Sequence, residues 1–385
     1  MLSRLRVQNF RCLRDVTVDF EPLTVLIGKN DSGKTSILDA IRVLGDTMSR
    51  PIPEVFSGVN HPEVLSWRRE SKPVSWEITT DRDQHRFLYH LQLDRSLSIK
   101  ERRSLEVDLS VEDVSAPEKY RRYWSSLAYG LSPELWEIDE DEPADEFYHE
   151  KDREELDRSV HELLNLPRYR LDPDALRRPS APRPDTLLDA SGRSLPSLLD
   201  GLFSGADASI RTSLEQSLHA AIPTLRGLSL LSFDDSTKTI EYVLAGSGKR
   251  PITIPCENAS DGALLVTAYL ALAYSDAPGT LLIEEPENGL HPSLLRLVFE
   301  TLHKISTGEY GLGPRQVIIA TQSPLLLNYA TKEEVRIVRR DLETGTHVSR
   351  LADVPDIDRL LKGFSVGELW YHLGEDALVE GETAK

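Results

Sequence analysis

The stretch Gly28-Lys29-Asn30-Asp31-Ser32-Gly33-Lys34-Thr35 satisfies the spacing G-x-x-x-x-G-K-[ST] at every position. Residues of these types in this order suit a polyphosphate. The glycines let the backbone curl until successive N–H groups, from Asn30 through Lys34, face inward on phosphate oxygens. The Lys34 ammonium suits the β- and γ-phosphates, and the Thr35 hydroxyl suits Mg2+. Ser36 follows in the first turn of a helix whose N-terminal partial charge adds to the cradle. ATP and Mg2+ are the expected cofactors.

A second set of oxygens closes an apolar run. Thr280-Leu281-Leu282-Ile283-Glu284-Glu285 reads as a buried strand ending in two carboxylates. At the C-terminal end of a parallel strand beside the phosphate loop, Glu284 can hold the metal through water. Glu285 can orient or deprotonate an attacking water. A third set is Asn258-Ala259-Ser260-Asp261-Gly262, just ahead of a long apolar segment. Ser260 and Gly262 at a helix N-terminus make a second anion cradle. One nucleotide in one chain does not need two cradles. Two chains facing head to tail do, each Ser-x-Gly closing the other's phosphate loop, so a homodimer around ATP is expected. The plainer reading is that Ser260 or Asp261 only caps the helix.

These groups need a scaffold. Leu5, Val7 and Phe10, then Val16, Val18 and Phe20, alternate as strands do, and Leu23 to Ile27 is a fully apolar strand. Ile37, Leu38, Ile41 and Leu44 follow at helical spacing. Short strands from Val74 to about Leu109 suggest an antiparallel layer. Residues 263–274 form an apolar helix; Thr280–Ile283, Gln316–Ala320 and Arg336–Val338 read as strands. The predicted class is α/β, a P-loop NTPase head with an antiparallel β layer near the N-terminus and a helical insertion. Residues 1–115 form a first lobe with the phosphate loop. Residues 116–200 form a helical, irregular, acidic and peripheral insertion that includes the block Glu134 to Asp157. Residues 201–385 form a second lobe with the remaining motifs.

Composition narrows the class further. The chain has 385 residues, and 63 acidic against 45 basic side chains give a net charge of -18. Such a surface does not coat nucleic acid broadly, so phosphate contact must be local. Cys12 and Cys256 make no disulfide framework and have no metal-ligand spacing. No run approaches the roughly 18 apolar residues of a membrane span. A cytoplasmic location without membrane contact is expected.

Taken together, the motifs resemble the ABC-type ATPase heads of the RecF, SMC and OLD group, often labelled AAA-family ATPases. Val7-Gln8-Asn9-Phe10-Arg11 is similar to their opening turn, and Gly28 to Thr35 to their Walker A motif. Ser260-Asp261-Gly262 resembles the signature, Leu281 to Glu285 the Walker B strand, and Asn288-Gly289-Leu290-His291-Pro292 the D-loop. The likeness covers roughly residues 1–115 and 185–340. It implies a head that dimerises around two Mg-ATP molecules and opens on hydrolysis. It also implies that Arg11 approaches the nucleotide phosphates; the plainer reading is a surface Arg after a strand. Two positions depart from the pattern. Glu284 stands where many relatives have Asp, and Gln322 stands where many have a switch His. Glutamine can hydrogen-bond a water or the γ-phosphate but cannot take up a proton, so Gln322 is expected to be a polar sensor. No Q-loop glutamine is evident; Gln84 and Gln92 lie in the strand-rich layer.

The segment between Thr35 and Ser260 is too short and proline-broken for SMC-type arms. The stretch after Gln322 is too short for a Toprim nuclease domain, which needs on the order of 100 residues. The expectation is therefore an ATP-hydrolysing switch that controls a separately encoded effector, a nuclease or Toprim-like protein. The setting would be bacterial anti-phage defence or another nucleic-acid-linked process. The alternative is a RecF-like repair ATPase that clamps DNA through Arg102-Arg103, Arg121-Arg122, Arg177-Arg178 and Arg339-Arg340. A transporter subunit is disfavoured by Ser-Asp-Gly-Ala at 260–263 and by Gln322, and a non-hydrolysing scaffold by Glu285.

Overall fold

The computed structural model describes residues 1–50, 52–82, 85–93, 166–183, 187–205, 207–245, 252–277 and 279–380. The acidic block Glu134 to Asp157, the pairs Arg102-Arg103 and Arg121-Arg122, and Gln84 lie outside the described residues. The first strands are β1 (Leu2–Phe10), β2 (Leu13–Asp19), β3 (Leu23–Ile27), β4 (Val74–Arg82), β5 (His85–Leu93) and β6 (Arg168–Tyr169). Next come β7 (Leu225–Ser232), β8 (Lys238–Leu244), β9 (Thr253–Pro255), β10 (Thr280–Glu284) and β11 (Gln316–Thr321). The last are β12 (Val335–Asp341) and β13 (Gly345–Arg350). The longer helices are α1 (Lys34–Ser49), α2 (Leu195–Ser204), α3 (Ser209–Ala221), α4 (Asp261–Tyr274), α5 (Pro292–Thr307) and α6 (Val366–Glu380).

A six-stranded sheet in the order β13-β12-β3-β11-β10-β6 forms the centre. Its strands are parallel except β13, which returns antiparallel on β12. Every residue of β3, β10 and β11 is buried, because both faces of the sheet are covered. Alternation sends Val25, Ile27, Ile283 and Ile319 into one apolar cluster with α4. It sends Leu26, Leu282, Ile318 and Ala320 into another, with α1 and the inner face of the antiparallel sheet β2-β1-β4-β5. Helix α4 is surrounded, with all residues from Ala263 to Ala273 buried, so it lacks the polar stripe of a surface helix. Arg315 closes its C-terminal end, donating to the carbonyls of Ala273 at 2.7 Å and Ser275 at 2.8 Å.

Register decides where the chemistry sits. Ile27 pairs with Thr321, and Glu284 pairs with Ala320, so β3 and β10 end level on either side of β11. Their following residues, Gly28 and Glu285, therefore leave from the same C-terminal edge, where ligands bind in open α/β sheets. The antiparallel layer is tied to the centre by the buried Gln316 side chain. Its Oε1 accepts from the Leu2 N–H at 3.0 Å, and its Nε2 donates to the Leu2 carbonyl at 2.6 Å.

One expectation needs correcting. The described part of the 116–200 segment is not peripheral. Strand β6 hydrogen-bonds to β10 in the central sheet, and Leu195, Leu198 and Leu199 of α2 join the core beside α4. A two-residue strand shows no alternation, so sequence periodicity could not reveal it. The three-stranded sheet β7-β8-β9 was also not anticipated.

Candidate nucleotide site

The loop after β3 curls as the glycines allow. Gly33 has φ 111°, in the left-handed region, and caps α1. A Cβ at Gly28 would strike the carbonyl oxygen of Val338, so the β12–β13 hairpin lies tight against the loop. That hairpin braces it further. Thr346 Oγ1 donates to the Ser32 carbonyl at 2.9 Å, and Arg340 Nη1 pairs with Asp31 Oδ2 at 2.6 Å. Lys34 is 7% exposed, and its ammonium donates to the carbonyls of Gly28 and Lys29, each at 2.7 Å. Ser32 and Gly33 are buried, whereas Asn30, Asp31 and Thr35 are exposed and Ser36 is half-buried.

The acidic strand end meets this loop. Thr35 Oγ1 donates to Glu284 Oε1 at 2.5 Å, although the two lie 249 positions apart in the chain. Glu284 is 4% exposed, and its Oε2 is buried without a hydrogen-bond partner. A hard divalent cation takes such oxygens, with the remaining ligands from phosphates and water. The residues present therefore fit Mg2+, held by Thr35 and Glu284. Among the described residues no group of three or more His, Cys, Asp and Glu forms a separate metal cage.

A charge network surrounds that pair. Buried Asp39, on α1, receives Arg11 Nη1 on one oxygen and Arg168 Nη1, at 2.7 Å, on the other. Arg168 Nε also stands 3.4 Å from Glu284 Oε2. Arg11 leaves the β1–β2 turn from a left-handed backbone (φ 51°), its guanidinium over the Phe10 ring. Glu285 also has a positive φ of 48°, and its N–H donates to the Ala320 carbonyl at 2.7 Å. Its Oε2 accepts from Asn288 Nδ2 at 2.7 Å and pairs with Arg170 Nη2 at 3.0 Å. Gln322 is exposed at the end of β11, and its N–H donates to Glu287 Oε1 at 3.1 Å.

Ser260 and Gly262 sit elsewhere. Ser260 is exposed and caps α4, its Oγ accepting from the Ala263 N–H at 3.3 Å. Arg177 braces the segment, with Nη2 at 2.5 Å from Asp261 Oδ1 and 3.0 Å from the Ala259 carbonyl. A Cβ at Gly289 would lie 3.7 Å from Asp261 Cβ, so the segment resembling the D-loop borders the one resembling the signature.

The family described as "AAA domain, putative AbiEii toxin, Type IV TA system" matches residues 23–328, most of the chain, including the phosphate loop, the acidic end of β10 and the N-terminus of α4. The chain belongs to this AAA-domain family. It is an ABC-type ATPase of the RecF, SMC and OLD group. This AAA-domain ATPase is 25% identical to an OLD nuclease of Thermus scotoductus over 95% of its own length and 68% of the nuclease. It is 37% identical to the DNA replication and repair protein RecF of Limosilactobacillus reuteri over 79 residues, 20% of each chain. Among solved structures it resembles an Smc head bound to the C-winged helix domain of ScpA, with TM-score 0.55 and 14% identity. That match covers 90% of this chain and 97% of that one, and it bears on the fold.

Of the residues named from sequence, Lys34, Thr35 and Glu284 converge, with Glu285 next to Glu284 in the chain and Arg11 joined through Asp39 and Arg168. Ser260 and Gly262 belong to a separate segment, the N-terminus of α4. Asp39, Arg168 and Arg170 were missed, and Arg177 was offered only as a DNA contact. The one signal available was Arg168-x-Arg170 after Pro167, two cations at strand spacing. Of the arginine pairs offered for DNA, Arg177 is engaged with Asp261 and Arg340 with Asp31. Among the described residues no helix is long and apolar enough to cross a membrane.

Proposed function

We propose that this AAA-domain protein binds and hydrolyses ATP and acts as a cytoplasmic molecular switch. The observation that carries this reading is the 2.5 Å bond from Thr35 to Glu284, between the phosphate loop and the acidic strand end. Lys34 leaves its loop carbonyls for the β- and γ-phosphate oxygens, which offer charge where the carbonyls offer only dipoles. Thr35 and Glu284 would hold Mg2+, which would supply charge neutralisation to the phosphate oxygens. Glu285 orients a water and accepts its proton as the oxygen attacks the terminal phosphorus. The bond to the bridging oxygen breaks, and ADP leaves with that electron pair. Gln322 contacts the water or the terminal phosphate as a sensor, and Arg11 approaches the phosphates.

A second copy completes each site. Ser260, exposed, and Gly262, half-buried, at the N-terminus of α4 reach the nucleotide on the partner's loop, and two ATP molecules lie in the interface. The two heads, each with a lobe at 1–115 and another at 201–385, close together on ATP and open on hydrolysis. The output is control of a separate effector in anti-phage defence or another nucleic-acid-linked process. Resemblance to an OLD nuclease and membership of a family whose description names a toxin both favour that reading.

Phosphate release from wild type, Lys34→Ala and Glu285→Gln, with oligomeric state followed by light scattering, tests the proposal. The expected result is an ATP-dependent dimer that Glu285→Gln accumulates and Lys34→Ala does not form. Identical behaviour of the two variants would refute the assigned roles.

A further inference from the structure

Arg168 opens strand β6, and Arg170 follows directly after its last residue, Tyr169. They meet consecutive carboxylates, Arg168 at Glu284 Oε2 and Arg170 at Glu285 Oε2. The two pairs differ in kind. Arg168 is also bonded to buried Asp39 and is thus held from two sides. The Arg170 side chain is 61% exposed and reaches Glu285 alone among the described residues.

Glu285 does not need Arg170 for its orientation. Asn288 Nδ2 already donates to the same Oε2, and the Asn288 N–H donates to the Glu285 carbonyl at 3.0 Å. The Glu285 N–H is anchored on Ala320. Arg170 adds something else: a positive charge and a second occupant on the one oxygen the turn already fixes. An oxygen already taken by two donors has less room left to hold a water by a hydrogen bond.

We infer that Arg170 is a positioning residue that restrains Glu285 in the lone subunit. Its guanidinium occupies Oε2 and keeps basal turnover low until a second copy covers this edge of the sheet and draws the guanidinium away. The inference rests on Glu285 being the group that handles the attacking water. Because the arginine end of the pair is exposed, the restraint is weak, and releasing it changes a rate by only a few-fold.

The test compares steady-state ATP hydrolysis by wild type, Arg170→Ala and Arg170→Lys at low and high protein concentration. At low concentration Arg170→Ala should turn over about two- to fivefold faster than wild type with an unchanged KM. Arg170→Lys, which keeps the charge, should stay near the wild-type rate. At high concentration, where the dimer forms, the difference should shrink. Affinity for a fluorescent ATP analogue should be the same in all three. In a Glu285→Gln background, Arg170→Ala should change nothing, an outcome a merely structural arginine would not give. A slow Glu285→Gln enzyme together with an Arg170→Ala enzyme no faster than wild type overturns the restraint alone. A Glu285→Gln enzyme as fast as wild type overturns the role of Glu285, and the restraint with it.

Discussion

At the phosphate loop, Lys34 is buried and bonded to two carbonyls, and Thr35 bonds Glu284. At Ser260, the hydroxyl accepts from its own helix at 3.3 Å and is otherwise exposed. The loop is braced by the β12–β13 hairpin on one side and the arginine network on the other. The signature-like segment is braced from behind by Arg177 and presents its front to solvent. One cradle has its counter-groups within the chain; the other has its geometry set and no counter-group supplied by this chain among the described residues. The contrast teaches that a segment satisfied within the chain and a segment left open to solvent can be probed separately by substitution.

The largest effect is expected from Lys34→Ala. Removing a buried ammonium that serves the phosphates should weaken ATP binding by on the order of 100-fold or more, read by calorimetry, and abolish turnover. Next is Glu285→Gln. Turnover should fall by about 100-fold or more while affinity stays within about twofold, read by phosphate release against nucleotide titration. Equal losses in both quantities would collapse the distinction between holding and reacting.

Ser260→Asp sharpens the contrast from the other side. Aspartate caps a helix as well as serine does, so thermal stability should hold. Its charge opposes a phosphate, so ATP-driven dimerisation should weaken by roughly tenfold while ATP binding to the single subunit is unchanged. If dimerisation persists, Ser260 is a cap and nothing more. The smallest effect is expected from Gln322→Ala, a few-fold loss of turnover with no change in melting temperature, since the side chain is exposed.

What could be read from residue order was whatever the chain writes locally. The alternation in β1 and β2, the apolar runs of β3, β10 and β11, and the unbroken apolar stretch of α4 all declare themselves within a few residues. So does the phosphate loop, because a curl around phosphates needs its glycines, lysine and threonine in one short order. The arginine network was hidden for the opposite reason. Asp39 and Arg168 are 129 positions apart and meet only because β6 joins the edge of the sheet. A strand of two residues has no period, and a buried Asp on a helix looks like any surface Asp until the fold closes over it. The sheet β7-β8-β9 was obscured similarly, since Leu228 is buried while Ser229 and Leu230 are both half-buried, which blurs the two-residue rhythm.

Strand β3 is flanked by β11 and β12, whose residues follow it by roughly 300 positions in the chain. During synthesis the phosphate loop therefore emerges long before the strands that flank its own support. A ribosome-bound fragment ending ahead of β11 should have every residue of the loop and no affinity for nucleotide. The order of translation should thus delay nucleotide uptake by a newborn copy until β11 and β12 have been made.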